Sequence, residues 1–362
     1  MNPNWKGHIK LEPLVSIIIP FFNTNKKLFE RCIKSVINQK YSNIECIVVD
    51  DGSSEEYSSF LNEYFELDKR IRVYHKTNGG LGNTRNYGVS EARGDYVFFV
   101  DSDDFISPYA IQNGVDIAQR NNADVVIGCS VHVFPDELCE YKEKESNTII
   151  LTHRKEFTEL TAHISGYKNP RFLCANGNFG PSAWSKLVRR QIAEQVPFVN
   201  DKYWGEEILW CLSLFNICEK VVIADINWYS YVINPQSMIR KYAGDRSIEF
   251  MTRAKQEFAL AKKNWPEYMQ IAYYCVFYGF FTYVRTDICN PNNTKSKKER
   301  YQDFCKAISF DEFNEMVNNI SFDYELRFIH KTIKKLLMFL LKRKSKKAAF
   351  ELLAVCNKRI KF

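Results

Sequence analysis

No run of apolar residues in this chain reaches the ~18–20 positions needed to cross a bilayer as a helix. The opening stretch, MNPNWKGHIKLEP, also lacks the apolar centre of a secretory signal. The expected location is therefore the cytoplasm. None of the eleven cysteines stands in a Cys-x-x-Cys pair, and Cys32, Cys46, Cys211 and Cys275 lie within apolar runs. That pattern argues against a disulfide or zinc framework and for reduced thiols packed in a core. Histidine is scarce and scattered, and His75 and His132 read as structural. There is no internal repeat.

A surplus of acid is missing too, but only at one end. The formal net charge is +7. Residues 327–362 hold twelve Lys/Arg and a single acid, Glu351, which leaves the first 326 residues with 38 Lys/Arg against 42 Asp/Glu. Basicity confined to a tail with few interleaved aromatics argues against nucleic acid as a partner. Phe328, Ile329, Ile333, Leu336, Leu337 and Leu340 instead form an apolar stripe beside Lys331, Lys334 and Lys335, followed by a basic cluster from Lys342 to Lys347. Such a helix suits an anionic membrane surface, here the cytoplasmic face of the inner membrane; the alternative is a docked helix with a solvated charged face.

With 362 residues, 45% of them hydrophobic, the chain can build one large domain and a smaller one. The expected division is a tail at 1–12, an α/β domain at 13–243 and a helical domain at 244–362, since no strand pattern recurs beyond Tyr242. The α/β domain is centred on YVFFVDSDDF, Tyr96 to Phe105, where an unbroken apolar run meets Asp101, Asp103 and Asp104. A run without alternation reads as a strand covered on both faces. Its acids then lie at the carboxyl end, where open α/β sheets bind their ligands. Carboxylates two residues apart suit Mg²⁺ or Mn²⁺ carrying substrate phosphates, so a nucleotide-bearing substrate is the first expectation.

Other segments fall in place around it. LVSIII, ended by Pro20 and Phe21-Phe22-Asn23, reads as a first strand; helical spacing from Leu28 to Ile37 follows, then the strand IECIVV running into Asp50-Asp51-Gly52-Ser53-Ser54. Ile71 to Tyr74 is a short strand. Asn78-Gly79-Gly80-Leu81-Gly82 then opens a helix carrying Arg85, and such a loop can cradle phosphate with its amides. Ala123 to Gly128 and Val221 to Ile223 are further strands, and residues 132–170 read as a lid, an insertion or an edge hairpin. In Gly205-Glu206-Glu207 two carboxylates open a strongly apolar helix.

In this order the segments resemble glycosyltransferase family 2, inverting enzymes of the GT-A fold, a Rossmann-like and mostly parallel sheet flanked by helices. The resemblance implies a UDP-sugar donor, a saccharide or lipid-linked saccharide acceptor, and Mn²⁺ or Mg²⁺ held by Asp103. It puts Pro20 and Phe22 near the base, Asp51 on the uracil ring, and Asn78 and Arg85 toward base or phosphate. Asp101 and Ser102 would face ribose or sugar, and Trp184 and Lys186 would line the sugar pocket. Where the family usually shows Gly-Glu-Asp with the Asp as catalytic base, this chain has Glu207, one methylene or ~1.5 Å longer, with Glu206 as the reserve candidate. A phosphatase of the haloacid-dehalogenase type would carry its acids on an early strand, and a nucleotidyltransferase would want a basic glycine loop after the first strand. The alternative that survives is a non-catalytic subunit that binds sugar nucleotide or glycan.

Overall fold

The computed structural model describes residues 12–137, 139, 141, 147–164, 167–199, 206–233, 247–321, 325–326 and 331–356. The strands are β1 (Val15–Phe21), β2 (Ile44–Asp50), β3 (Ile71–His75), β4 (Tyr96–Phe99), β5 (Phe105–Ile106), β6 (Val125–Val133), β7 (Thr148–Leu151), β8 (Tyr167–Lys168), β9 (Lys186–Arg189), β10 (Val221–Val232) and β11 (Glu325–Leu326). The helices that flank the sheet are α1 (Lys26–Ile37), α2 (Glu55–Leu67), α3 (Leu81–Glu91), α4 (Ala110–Asn121), α5 (Arg154–Ile164), α6 (Arg190–Gln195) and α7 (Glu206–Ile217). Then come α8 (Ser247–Asn264), α9 (Gln270–Tyr283), α10 (Lys297–Ala307), α11 (Asp311–Asn319), α12 (Lys331–Lys342) and α13 (Lys346–Cys356).

One nine-stranded sheet runs β3-β2-β1-β4-β9-β6-β10-β5, with β7 also paired to β10. Strands β3, β2, β1 and β4 are mutually parallel, and every residue of β1, β2 and β4 is buried, as expected of strands covered on both faces. The sheet departs from mostly parallel at β5 and β7, each antiparallel to β10, and at β9. Strand β9 lies antiparallel between β4 and β6, splicing the first parallel block to a second made of β6 and β10. Only four residues long and carrying Lys186 and Arg189 at its ends, β9 has no strand signature of its own; Leu187 and Val188 seat it between Phe98 and Val126.

Two other expectations change in extent. The strands read as ending at Gly128 and Ile223 run on to Val133 and Val232, and the extension of β10 reaches the acid turn after β4. The segment 132–170 supplies the edge strand β7, antiparallel to β10, and also the helix α5, while parts of it lie outside the described residues. One face of the sheet packs with α1 and α4 around Ile17, Ile19 and Phe29, and the other with α7 around Ile18, Phe99 and Trp210. A separate apolar cluster forms among α8 to α13 around α9, whose Tyr and Phe residues are buried nearly all round, as expected of a helix without a polar face. No disulfide joins any of the eleven cysteines.

Candidate active site

The three acids after β4 take three different surroundings. Asp104 is buried: Tyr229 donates its hydroxyl to Oδ2 and Val232 its amide to Oδ1, each at 2.7 Å. Burial, with the charges of Asp103 and Asp101, holds its carboxyl well above the usual range. The Asp101 amide donates to the same Tyr229 oxygen at 3.0 Å, so the extended β10 fastens this turn from both sides. Asp101 itself accepts from Arg85 Nη2 at 3.0 Å. That leaves Asp103 with no cationic side-chain partner among the described residues; burial and then the charge of Asp101 push its carboxyl up to about 6. Ser102 shares a 2.6 Å hydrogen bond with Thr24, tying the turn to the loop after β1.

Arg85 is the centre of the arrangement. Its side chain is fully buried, and besides Asp101 its guanidinium meets Glu206 at 3.2 Å and Glu207 at 3.0 Å. Burial alone would lower its proton affinity, but the charges of Glu207, Asp101 and Glu206 more than reverse that, so it stays cationic. The resemblance pointed this residue at base or phosphate; its enclosed position turns it toward the carboxylates. A flat guanidinium fork suits this, because it can address several oxygens at fixed angles. Sequence reasoning missed the cluster because its members are 16, 121 and 122 positions from Arg85.

Glu207 sits in the first turn of α7 and accepts a 2.8 Å bond from the Ala183 amide. Its carboxyl is pushed up to about 7: burial raises it, Arg85 pulls it back, and Glu206 and Asp101 raise it again. Gly205 lies outside the described residues. The loop that presents Ala183 is itself braced. Ser185 adopts the left-handed backbone conformation (φ 59°) and donates its hydroxyl to the Gly128 carbonyl at 3.0 Å. The buried Lys186 ammonium donates to the carbonyls of Gly180 (3.0 Å) and Ser182 (2.6 Å). Lys186 was expected to line the sugar pocket, but desolvation confines its charge to these carbonyls, and it braces the loop from within. Trp184 stacks on Tyr229, ring centres 4.4 Å apart and 9° from parallel, so it covers the residue that pins the acid turn.

On the far side of β1, Asp51 is nearly buried and accepts from the amides of Gly79 (2.8 Å) and Gly80 (2.9 Å) and from Lys76 Nζ. The two amides read as a phosphate cradle are therefore spent on Asp51, and the Asn78 side chain donates to its carbonyl at 2.9 Å. Asp50 closes the turn below, taking the Ser53 amide, the Ser58 hydroxyl and His75. Pro20 is buried at the end of β1, and Phe22 stands exposed just past it. Gly52 allows the turn, with φ +75° and the Asn78 amide nitrogen 2.8 Å from where a Cβ would be. Gly52→Ala is expected to cost about 1–3 kcal/mol of stability in urea unfolding, from both the backbone conformation and the clash.

A mixed α/β sheet with an acid cluster at the carboxyl end of a central strand, faced by a helix opening on two glutamates, defines a GT-A type transferase. Residues 16–196 match the glycosyl transferase family 2 domain. The chain is 30% identical over 326 residues to the uncharacterized glycosyltransferase EpsJ of Bacillus subtilis, covering 86% of this chain and 88% of that one. It is 37% identical over 121 residues to the chondroitin synthase of Escherichia coli, covering 33% and 17%. Among solved structures, residues 1–349 of S. aureus TarS in complex with UDP-GlcNAc superpose with a TM-score of 0.67 at 15% identity, covering 96% of this chain and 92% of that one. The chain belongs to glycosyltransferase family 2 and is a glycosyltransferase.

Proposed function

We propose that the protein transfers a sugar from a UDP-sugar to a hydroxyl of a saccharide or lipid-linked saccharide acceptor, inverting the anomeric centre to give a β-linkage, in the synthesis of a surface glycan. One observation carries the reading: Arg85 draws together the acids of two distant segments, Asp101 after β4 and Glu206 and Glu207 at the start of α7, two residues from Asp103, which has no cationic side-chain partner among the described residues. The UDP-GlcNAc held by the TarS fragment supports a UDP-sugar donor, and the chondroitin synthase relative supports a saccharide acceptor. Its setting is the cytoplasmic face of the inner membrane.

Asp103 fits a Mn²⁺ or Mg²⁺ ion. Its donors are hard oxygens, and a carboxylate destabilised by burial and a like charge is one that a cation relieves. A bound ion would supply charge neutralisation for the diphosphate of the donor. Glu207 acts as general base, taking the proton of the acceptor hydroxyl as that oxygen attacks the anomeric carbon opposite UDP. Arg85 and the Ala183 amide hold its carboxylate in one orientation, so little reorganisation is needed at the moment of proton transfer.

A binding subunit without chemistry would hold sugar nucleotide and release nothing; family membership favours turnover. The test is melting temperature with UDP-, GDP- and dTDP-sugars with and without Mn²⁺, joined to slow UDP release. UDP species with Mn²⁺ are expected to stabilise most. Asp103→Asn is expected to abolish the Mn²⁺-dependent part of that shift and to slow UDP release by about 100-fold or more. Equal shifts from every nucleotide, or a metal response that survives Asp103→Asn, would sink the assignment.

A further inference from the structure

We propose that the outer face of the α12–α13 pair is a docking surface for an anionic lipid bilayer. This deepens the membrane-face reading above by naming the residues and the lipid charge that would carry it. The apolar stripe of α12 does not face one way. Leu337, Met338 and Leu341 are buried in one cluster with Phe350 and Leu353 of α13, so the helix is already docked on the protein. Leu336 and Phe339, one turn apart, remain 45% and 52% exposed. Docking on the protein accounts for the inner residues and leaves this outer pair without a reason to be apolar.

Charge decides what covers the pair. Lys335, Lys342, Arg343, Lys344 and Lys347 are all exposed, and the Arg343 guanidinium lies 4.8 Å from the centre of the Phe339 ring. Glu351, the one acid between 331 and 356, already pairs with Lys297 at 2.8 Å. A second copy of the chain would set these cations against themselves, whereas a bilayer rich in anionic headgroups meets them with opposite charge. Long Lys and Arg stems let the heads reach phosphate while Leu336 and Phe339 enter the acyl boundary. Among the described residues no helix is long and apolar enough to cross a membrane, so the pair would lie on the surface.

The test is flotation of the full chain with vesicles of phosphatidylcholine alone and of phosphatidylcholine with phosphatidylglycerol, alongside UDP release in solution. The protein is expected to float with the anionic vesicles only, less so as salt rises. Leu336→Ser with Phe339→Ser is expected to weaken partition about tenfold or more, and Lys342→Glu with Arg343→Glu and Lys344→Glu to abolish it. Both variants are expected to keep wild-type helicity and UDP release, which separates loss of docking from misfolding and from failure of the donor reading. Equal flotation with neutral vesicles, flotation that survives Leu336→Ser with Phe339→Ser, or a solution dimer that those changes dissolve would overturn the proposal.

Discussion

Arg85→Met is expected to lose about 3–5 kcal/mol of stability, the usual cost of stripping one partner from a buried charge cluster, together with nearly all UDP release. The reason lies in what remains. Asp101, Glu206 and Glu207 would still converge on the site, three like charges without Arg85 between them. Because Arg85 now pulls the Glu207 carboxyl down, its removal moves that carboxyl further above about 7, and whatever activity survives shifts to higher pH. Arg85→Lys keeps the charge and loses the fork. It is expected to recover most of the urea midpoint and little of the turnover, a split that an Arg serving only stability would not produce. Full turnover in Arg85→Lys would mean the geometry of the cluster is irrelevant to catalysis.

That prediction was not available from the sequence, and the contrast with what was available is physical. Strand β4 and its acid turn were legible because a strand buried on both faces must be apolar throughout, and the break into DSDD marks its end. The turn after β2 was legible because Gly52 and its acids are demanded locally by a tight reversal. The roles within each motif were not. How Asp101 and Asp104 are paired depends on Arg85, 16 positions upstream of Asp101, and on Tyr229, 125 positions beyond Asp104. Strand β9 escaped for a related reason: a four-residue segment with a buried lysine has no periodicity of its own, and its place is set by β4 and β6. Lys186 is buried because backbone carbonyls solvate it, which composition cannot reveal.

Glu207→Gln is expected to slow UDP-sugar turnover by about 10²–10⁴, the range for loss of a general base, and at the same time to stabilise the protein at alkaline pH. The two effects share one cause. The folded protein raises the Glu207 carboxyl from its ordinary 4.5 to about 7, so folding favours the protonated form. The stability this group contributes is present below about 4.5 and is lost as pH rises through about 7, where the folded state must carry a charge it disfavours. Glutamine removes that burden, so Glu207→Gln is expected to gain about 1–3 kcal/mol over wild type at pH 8 and nothing at pH 4 in urea titrations. For turnover the sign reverses, because the base works only when deprotonated. Wild-type kcat/KM is expected to fall about tenfold per unit below pH 7 and to level off above it. Glu206→Gln serves as the comparison, since Glu206 shares Arg85 yet is not assigned the proton. If Glu206→Gln removes that pH dependence and Glu207→Gln leaves it, the base is Glu206 and the longer side chain at 207 only completes the charge cluster around Arg85.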